Sequence, residues 1–182
     1  MSEKKTTQTK EKKSAENNPM REIFISKITV NCGVGEAGPA LEKAKKMVKK
    51  ITEKTVVETV TNKRILQFNL RPGLAIGTKV TLRKDTKDFL MRMLKAKENK
   101  LERSNFDDRG NFSFGIKEYI DIPDMDYDPE IGILGFNVCV TLERRGYRVK
   151  RRRLYPSKVG KNHQITKEEA INFVKNLGVN IE

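Results

Sequence analysis

The sequence predicts an α+β fold, a single domain with a mainly antiparallel sheet packed by helices. Short β-like runs follow one another with only turn residues between them, which is typical of hairpins and not of alternating strand–helix units. Helical periodicity recurs in three places, near residues 39–51, 86–99 and 166–178. A chain of 182 residues is long enough for one such core and short for two.

The folded domain is predicted to cover residues 18–182. Residues 1–17 read MSEKKTTQTKEKKSAEN and contain no large apolar residue after Met1, so we expect a disordered basic tail. A first strand follows the NPM segment. Its apolar residues are Ile23, Phe24, Ile25, Ile28 and Val30.

The middle of the chain alternates a helix, three β-like runs and a second helix. Pro39 suits a first helical turn, and apolar residues recur from Leu41 to Ile51 with lysines on the other side. The β-like runs are TVVETV, ILQFNL and AIGTKVTLR. The second helix is predicted from Thr86 to about Asn99.

Two more strands and a third helix complete the prediction. The strands are NFSFGIKEYI and ILGFNVCVTLERR, and apolar residues alternate strictly from Phe136 to Leu142, as expected for a sheet with one covered face. Thr166 and Glu169 form a capping-box pattern that opens the last helix, and Gly178 marks its end.

The charge balance favours a polyanionic partner. There are 38 Lys and Arg against 24 Asp and Glu, giving a net charge of +14 and a pI near 9.8. Nucleic acid is the commonest such partner, and a charged protein with no polyanion ligand is the alternative.

No apolar run approaches the roughly 20 residues that span a bilayer, and the lysine-rich start has no apolar signal core. We therefore expect a cytoplasmic protein without a membrane partner.

The densest basic region is ERRGYRVKRRRLYPSKVGK, where two strands are predicted to meet at Arg145 and Gly146. Arginine forks bind phosphates bidentately, and Tyr147 or Tyr155 could stack on a base. The alternative is a merely solvated hairpin. Only 7% of residues are aromatic, so recognition should depend mainly on the RNA backbone and shape. The candidate contacts are Arg144, Arg145, Arg148, Lys150, Arg151, Arg152 and Arg153.

A glycine-rich segment, NCGVGEAG at residues 31–38, allows three interpretations. The spacing Gly33-x-Gly35-x-x-Gly38 matches a dinucleotide-binding loop, with Glu58 at the distance of a ribose-binding acid, and a nucleotide-dependent oxidoreductase is the alternative function. The following chain is hairpin-like, however, and lacks the required parallel units. The glycines could simply permit a sharp turn, or could expose backbone amides to an RNA phosphate. The charge favours the RNA interpretation.

We find no set of residues that predicts catalysis, a metal or a cofactor. His163 is the only histidine, and pairing it with Cys32 would need an unsupported spatial coincidence. Both cysteines are expected to be reduced core residues. The acidic run starting at Asp124 has Pro129 and Gly135 where a calcium loop needs glycine and glutamate. We therefore expect a protein that is not an enzyme.

Three separated motifs carry a family resemblance. KITVNCGVGEAG, RPGLAIGTKVTLR and FDDRGNFSFGIKEYIDIPDMDYDP, in this order, resemble the universal large-subunit ribosomal protein number five, which eukaryotic ribosomes call number eleven. The resemblance covers nearly all of residues 18–182. The NPMRE start and the GKNHQITKEEAI segment are similar to the archaeal and eukaryotic branch, and bacterial members lack that ending. An archaeal source is therefore expected.

The resemblance implies binding of 5S ribosomal RNA and its attachment to large-subunit ribosomal RNA in the central protuberance. In the family, the sheet face and the glycine turn lie against 5S RNA. One position departs from the family, because EKTV at residues 53–56 replaces a common Gly-Gln-x-Pro segment. Lys54 could substitute a charge contact for the glutamine there. The residues implied are Asn31, Gly33, Gly35, Glu36, Lys54, Thr81 and Arg83.

The resemblance also implies other ribosomal partners. A family loop that reaches the transfer RNA in the P site corresponds to residues 61–72, and acidic residues near Asp124 are candidates for a bridge to a small-subunit head protein. Neighbouring ribosomal proteins are expected partners, and a homo-oligomer is not. A nonspecific nucleic-acid chaperone remains a further alternative. The loop candidates are Thr61, Asn62, Lys63, Arg64 and Arg71.

Overall fold

The computed structural model describes residues 18–181, so the predicted tail at residues 1–17 lies outside the described part. It has a five-stranded antiparallel sheet in the order β2-β3-β1-β6-β5 and a short parallel pair, β4-β7, which confirms the predicted α+β class. The strands are β1 (Ile23–Gly33), β2 (Val57–Val60), β3 (Ala75–Leu82), β4 (Lys100–Leu101), β5 (Phe112–Ile116), β6 (Phe136–Arg144) and β7 (Asn180–Ile181). The helices are α1 (Pro39–Thr52), α2 (Thr86–Ala96), α3 (Arg148–Arg151) and α4 (Lys167–Lys175).

Strand β1 is the centre of the sheet, since it pairs with both β3 and β6. Its residues alternate between two faces, and Ile28, Val30 and Cys32 point into the core. Their neighbours across the sheet, such as Val80 and Val138, are also buried. The predicted strand is confirmed because the period-two apolar pattern matches one buried face.

Helix α1 covers this buried face. Pro39 occupies its first turn, and its apolar residues, including Ala44 and Met47, belong to the same core cluster as β1. The helix ends at Thr52, and the next residue, Glu53, has a left-handed backbone (φ 52°) and donates its N–H to the Lys49 carbonyl. The predicted amphipathic helix is confirmed.

The other two long helices also match their predictions, with one shorter than expected. Helix α2 ends at Ala96 because Glu98 and Asn99 adopt positive φ angles of 56° and 55°, which stop the helix. At the start of α4, the capping box of Thr166 and Glu169 is present in both directions. Within residues 18–181, no helix combines the length and apolar composition that crossing a bilayer requires.

Two predicted strands are wrong. The ILQFNL run forms a one-turn 3-10 helix, Leu66–Phe68, closed by reciprocal backbone hydrogen bonds of 3.0 Å between Ile65 and Leu70. Beyond Gly146 the chain forms the short helix α3, because β1 and β5 already occupy both edges of β6 and a returning strand has no partner there.

The prediction for the second cysteine is also wrong. Cys32 is buried, but Cys139 is exposed. Val138 and Val140 point into the core on either side of it, so the two-residue period of β6 puts the Cys139 side chain on the opposite face. Burial raises the pKa of the Cys32 thiol, and partial burial does the same for the pKa of Cys139.

Candidate nucleic-acid interface

Nearly all the buried residues of the long helices belong to one core on one side of the sheet, which leaves the other side open. Residues directly opposite each other in antiparallel strands share a face, so the register defines two polar rows on this open face. Small uncharged groups dominate both rows. The first row is Thr81, Thr29, Cys139 and Ser113, and the second is Lys79, Asn31, Asn137 and Gly115.

The open face suits contact with a nucleic-acid backbone. Its hydroxyl and amide groups can donate to phosphates and exchange hydrogen bonds with ribose 2′-hydroxyls. Small side chains also leave a flat surface, and Gly115 keeps it flat because a Cβ there would come within 3.1 Å of Asn137 Oδ1. The predicted residues Asn31 and Thr81 both lie on this face.

A cationic groove borders the open face at the junction of β2 and β3. It encloses about 440 Å³ and brings Lys54 together with Thr81 and Arg83, although Lys54 is distant from both in sequence. Lys79 and Lys84 also line it. None of these four cations takes part in the ion pairs formed among residues 18–181, so all remain available to an anion.

The glycine turn joins β1 to α1 at one end of this face. Gly35 has φ 86°, a conformation that favours glycine, while the amides of Val34 and Gly35 both donate to the Ile76 carbonyl at 3.0 and 2.9 Å. Those two amides are therefore not free for a phosphate. No atom lies within 4 Å of a Cβ built at Gly33 or Gly35, so the turn leaves room for close approach, and Glu36 is exposed beside it.

The dinucleotide interpretation of this turn is wrong. A dinucleotide crevice requires parallel strands on either side of a crossover helix, whereas β1 has antiparallel neighbours on both sides. Glu58, the proposed ribose ligand, forms an ion pair with Lys45 of α1. The glycines therefore serve the turn from β1 into α1.

The basic segment, residues 143–161, contains one predicted contact that is not accessible. Arg144 is only 5% exposed, and its Nη2 lies 2.7 Å from Glu169 Oε1. Its Nη1 donates to the carbonyls of His163 and Gln164 at 3.4 and 3.3 Å. Arg144 therefore ties β6 to α4, and the prediction that it contacts RNA is withdrawn.

Other arginines of the basic segment remain on the surface. Arg151 is exposed but forms an ion pair with Glu143 at 2.7 Å. The Nε of Arg152 donates to the Tyr155 carbonyl at 2.7 Å, and Tyr155 is 86% exposed with φ 48°. Of the two predicted stacking residues, Tyr155 is thus presented to solvent. The other predicted contacts, Arg145, Arg148, Lys150 and Arg153, are exposed, as are Lys158 and Lys161.

Tyr147 and His163 have structural roles in the basic segment. The Tyr147 hydroxyl donates to the His163 carbonyl at 3.2 Å and accepts from the Ile165 amide at 3.2 Å. His163 Nε2 donates to the Arg145 carbonyl at 2.9 Å, whereas the Cys32 thiol donates to the Gly135 carbonyl. The two residues are thus held by different partners and form no nucleophile–base pair. Within residues 18–181, no three His, Cys, Asp or Glu side chains gather as a metal site.

The loop between β2 and β3 presents an apolar tip that the sequence analysis missed. Leu66 is 71% exposed and Phe68 is 68% exposed. The predicted contact Thr61 is instead buried and donates to the Lys63 carbonyl at 3.0 Å, so it shapes the base of the loop. Treating ILQFNL as a strand concealed this exposure. The other loop candidates, Asn62, Lys63, Arg64 and Arg71, are exposed.

The acidic run is bound largely within the protein. Lys50 lies 3.6 Å from Asp128 Oδ2 and donates to the Asp126 carbonyl at 3.3 Å. Lys46 lies 2.6 Å from Glu130 Oε2, and this hydrogen bond raises the pKa of Lys46. These contacts hold the run against α1 and leave Asp124 exposed.

Together these features define a basic α+β protein with an open sheet face that is bordered by a cationic groove. The family model for ribosomal protein L5 matches residues 18–71, and the model for the C-terminus of the same ribosomal protein family matches residues 75–173. The boundary between them falls in the β2–β3 loop, while the sheet spans both matches.

Relatives named large ribosomal subunit protein uL5 agree with these matches. The Archaeoglobus fulgidus protein is 45% identical over 94% of this chain and 97% of its own length. The Nanoarchaeum equitans protein is 50% identical over 90% and 98%. The Pyrobaculum aerophilum protein is 48% identical over 91% and 93%. The chain belongs to the ribosomal protein L5 family, in its archaeal form.

Proposed function

We propose that this chain binds 5S ribosomal RNA and attaches it to the large-subunit ribosomal RNA in the central protuberance. Membership of the L5 family makes it a non-enzymatic ribosomal protein of the large subunit, working in the cytoplasm with ribosomal RNA and protein partners. The observation that supports the 5S assignment is that Asn31, Thr81, Lys54 and Arg83 meet on one continuous polar and cationic surface.

The proposed contact divides between two chemistries. Lys54, Lys79 and Arg83 neutralise backbone phosphates, which supplies most of the affinity. The threonine and asparagine side chains of the open face meet ribose hydroxyls and base edges, while the turn at Gly33, Gly35 and Glu36 allows close backbone approach. Phosphate contacts to the unpaired cations of the groove and contacts to the small groups of the open face can therefore form with the same RNA.

The remaining basic surface is assigned to other ribosomal RNA. The exposed cations of the basic segment, from Arg145 to Arg153, would bind large-subunit RNA phosphates. We further propose that residues 18–182 form the RNA-binding domain and that residues 1–17 add a basic tail.

The β2–β3 loop is assigned to transfer RNA in the P site. Lys63, Arg64 and Arg71 flank the exposed apolar tip, so the loop can pair phosphate contacts with packing against ribose or base surfaces. Asp124, which remains exposed while Asp128 is paired with Lys50, is the proposed contact for a small-subunit head protein.

Protection of Cys139 tests the proposed 5S surface directly. Cys139 lies in the middle of the open face and Cys32 is buried, so maleimide should alkylate only Cys139 in the folded chain. We expect 5S RNA to slow this alkylation at least about ten-fold at mildly alkaline pH, because the RNA covers the thiol. Unrelated RNA of equal length is the control, and equal protection by both RNAs would contradict specific docking.

Separation of the loop from the 5S surface gives a second test. Replacing Lys63, Arg64 and Arg71 with alanine should leave 5S affinity within about three-fold, because none of them lines the cationic groove. Reconstituted subunits carrying this variant should bind P-site transfer RNA more weakly. Unchanged transfer RNA binding would remove the loop from that contact.

A further inference from the structure

A second groove, called the side groove here, lies between the loop before β5 and the basic segment. Its volume is about 740 Å³, within the range of roughly 300–1,000 Å³ that is usual for ligand sites. Leu142 and Ile165 form a buried apolar floor, and Val159 and Pro156 add apolar walls. No residue of the side groove belongs to the cationic groove beside β3.

The rim of the side groove is cationic. Arg109, Lys150, Lys158 and Lys161 line it, and none of them is in an ion pair formed within residues 18–181. The only carboxylate in the lining is Glu143, which Arg151 neutralises from 2.7 Å away. A ligand of this groove therefore carries negative charge next to an apolar body.

Polar groups within the groove can bind a heterocyclic edge. The Gln164 Nε2 donates to the Val159 carbonyl at 3.0 Å, which orients the amide and leaves its oxygen as an acceptor. Asn111 and Thr141 are half-buried in the lining and carry both donors and acceptors. A few fixed polar groups on apolar walls are the usual composition of a nucleobase site.

The groove is already formed in the free chain. The Ser157 amide donates to the Val149 carbonyl at 3.1 Å, which anchors the outer wall to α3. On the inner side, Gly110 packs so closely that a Cβ there would come within 2.5 Å of Ile165 Cγ2. A preformed wall lowers the ordering cost of binding.

We propose that the side groove receives a single unpaired nucleotide extruded from ribosomal RNA, with the base between the apolar walls and its phosphate on the rim cations. The proposal rests on the proposed RNA-binding function. An acidic peptide would share the charge pattern, but the basic segment that supplies Lys150, Lys158 and Lys161 to the rim also exposes Arg148 and Arg153. Such an extended cationic surface fits an RNA backbone on both sides of one extruded base.

Nuclear magnetic resonance titration of the labelled full chain tests this assignment. We expect 5′-AMP to shift the signals of Thr141, Val159 and Ile165 saturably, whereas inorganic phosphate shifts only the rim lysines. Equal shifts with phosphate would reduce the groove to an anion site and overturn the proposal. The proposal would also be overturned if a peptide rich in glutamate and aromatic residues shifted the signals of the groove floor and 5′-AMP did not.

Two variants complete the test. Ser157→Trp should fill the groove and weaken 5′-AMP binding at least about ten-fold, while the chain keeps its fold because Ser157 is exposed. Lys158→Gln with Lys161→Gln should weaken it similarly, whereas the matched pair Lys87→Gln with Lys95→Gln on α2 should not. If 5′-AMP causes no shifts while the chain still binds 5S RNA, this inference alone is overturned. If the unmodified chain shows no specificity for 5S RNA, the proposed function is contradicted.

Discussion

Replacing Arg144 with alanine is expected to lower the free energy of unfolding by about 2–4 kcal/mol, because it removes a buried cation that joins β6 to α4. The variant leaves the Gln164 carbonyl without this donor and Glu169 without its guanidinium, while the His163 carbonyl keeps only the Tyr147 hydroxyl as donor. Glu169 is partly exposed, which places the loss below that of a fully buried pair. Urea unfolding followed by circular dichroism measures the change.

The neighbouring Arg145 provides the matched control. It is exposed, and its nearest ion-pair partner, Glu22, lies 3.8 Å away. Arg145→Ala should therefore change the free energy of unfolding by less than about 0.5 kcal/mol. If the two alanine variants were equally stable, the buried ion pair would have no structural role.

Acid should weaken the ion pair between Arg144 and Glu169. Burial acts to raise the pKa of Glu169, but hydrogen bonds from Thr166 and the charge of Arg144 outweigh it and hold that pKa below its ordinary value of 4.5. A carboxylate whose pKa is lower in the folded chain than in the unfolded chain stabilises the fold at pH values above its unfolded-state pKa. This stabilisation is lost as the pH falls through the pKa of the folded chain. Arg144→Ala should therefore flatten the fall in unfolding free energy that the wild-type chain shows as the pH drops below 4.5.

Reversing three charges of the cationic groove should have the largest effect on RNA. A variant carrying Lys54→Glu, Lys79→Glu and Arg83→Glu should bind 5S RNA about 1,000-fold more weakly near 0.1 M salt, because each change removes a phosphate contact and adds repulsion. The slope of log affinity against log salt should become shallower by about 2–3. Filter binding across a salt series measures both quantities.

A control with the same net charge separates the groove from the general field of the protein. Lys43→Glu, Lys87→Glu and Lys95→Glu change exposed lysines on the helices, on the side of the sheet away from the open face. We expect this variant to lose less than about ten-fold in affinity and to keep most of the salt slope. Equal losses in the two triple variants would contradict a localised 5S surface.

Sequence patterns predicted the elements whose signal is local. The alternation in β6, the amphipathic α1 and the capping box of α4 depend on residues within a few positions of one another, and all three are present. The same alternation also contained the true position of Cys139, since a residue between two buried valines of a strand must point to the other face.

Features that depend on distant partners could not be predicted in this way. The alternation of β6 turns Arg144 inward and Arg145 lies beyond the strand, but the partner of Arg144, Glu169, lies 25 positions along the chain. Local patterns therefore do not show how the buried charge is neutralised. The cationic groove likewise exists because the register of β2 and β3 brings Lys54 beside Arg83. No strand follows Gly146 because β6 already has a neighbour on each side in the sheet, and the sequence near Gly146 does not show that order.

A competition gel-shift titration tests the central claim most directly. The wild-type chain is titrated against archaeal 5S ribosomal RNA at moderate and high salt, with an unrelated RNA of equal length as competitor. Specific docking predicts a 5S complex that survives a large excess of competitor at moderate salt and weakens steeply at high salt. Equal affinity for both RNAs would contradict the account and indicate a nonspecific nucleic-acid chaperone.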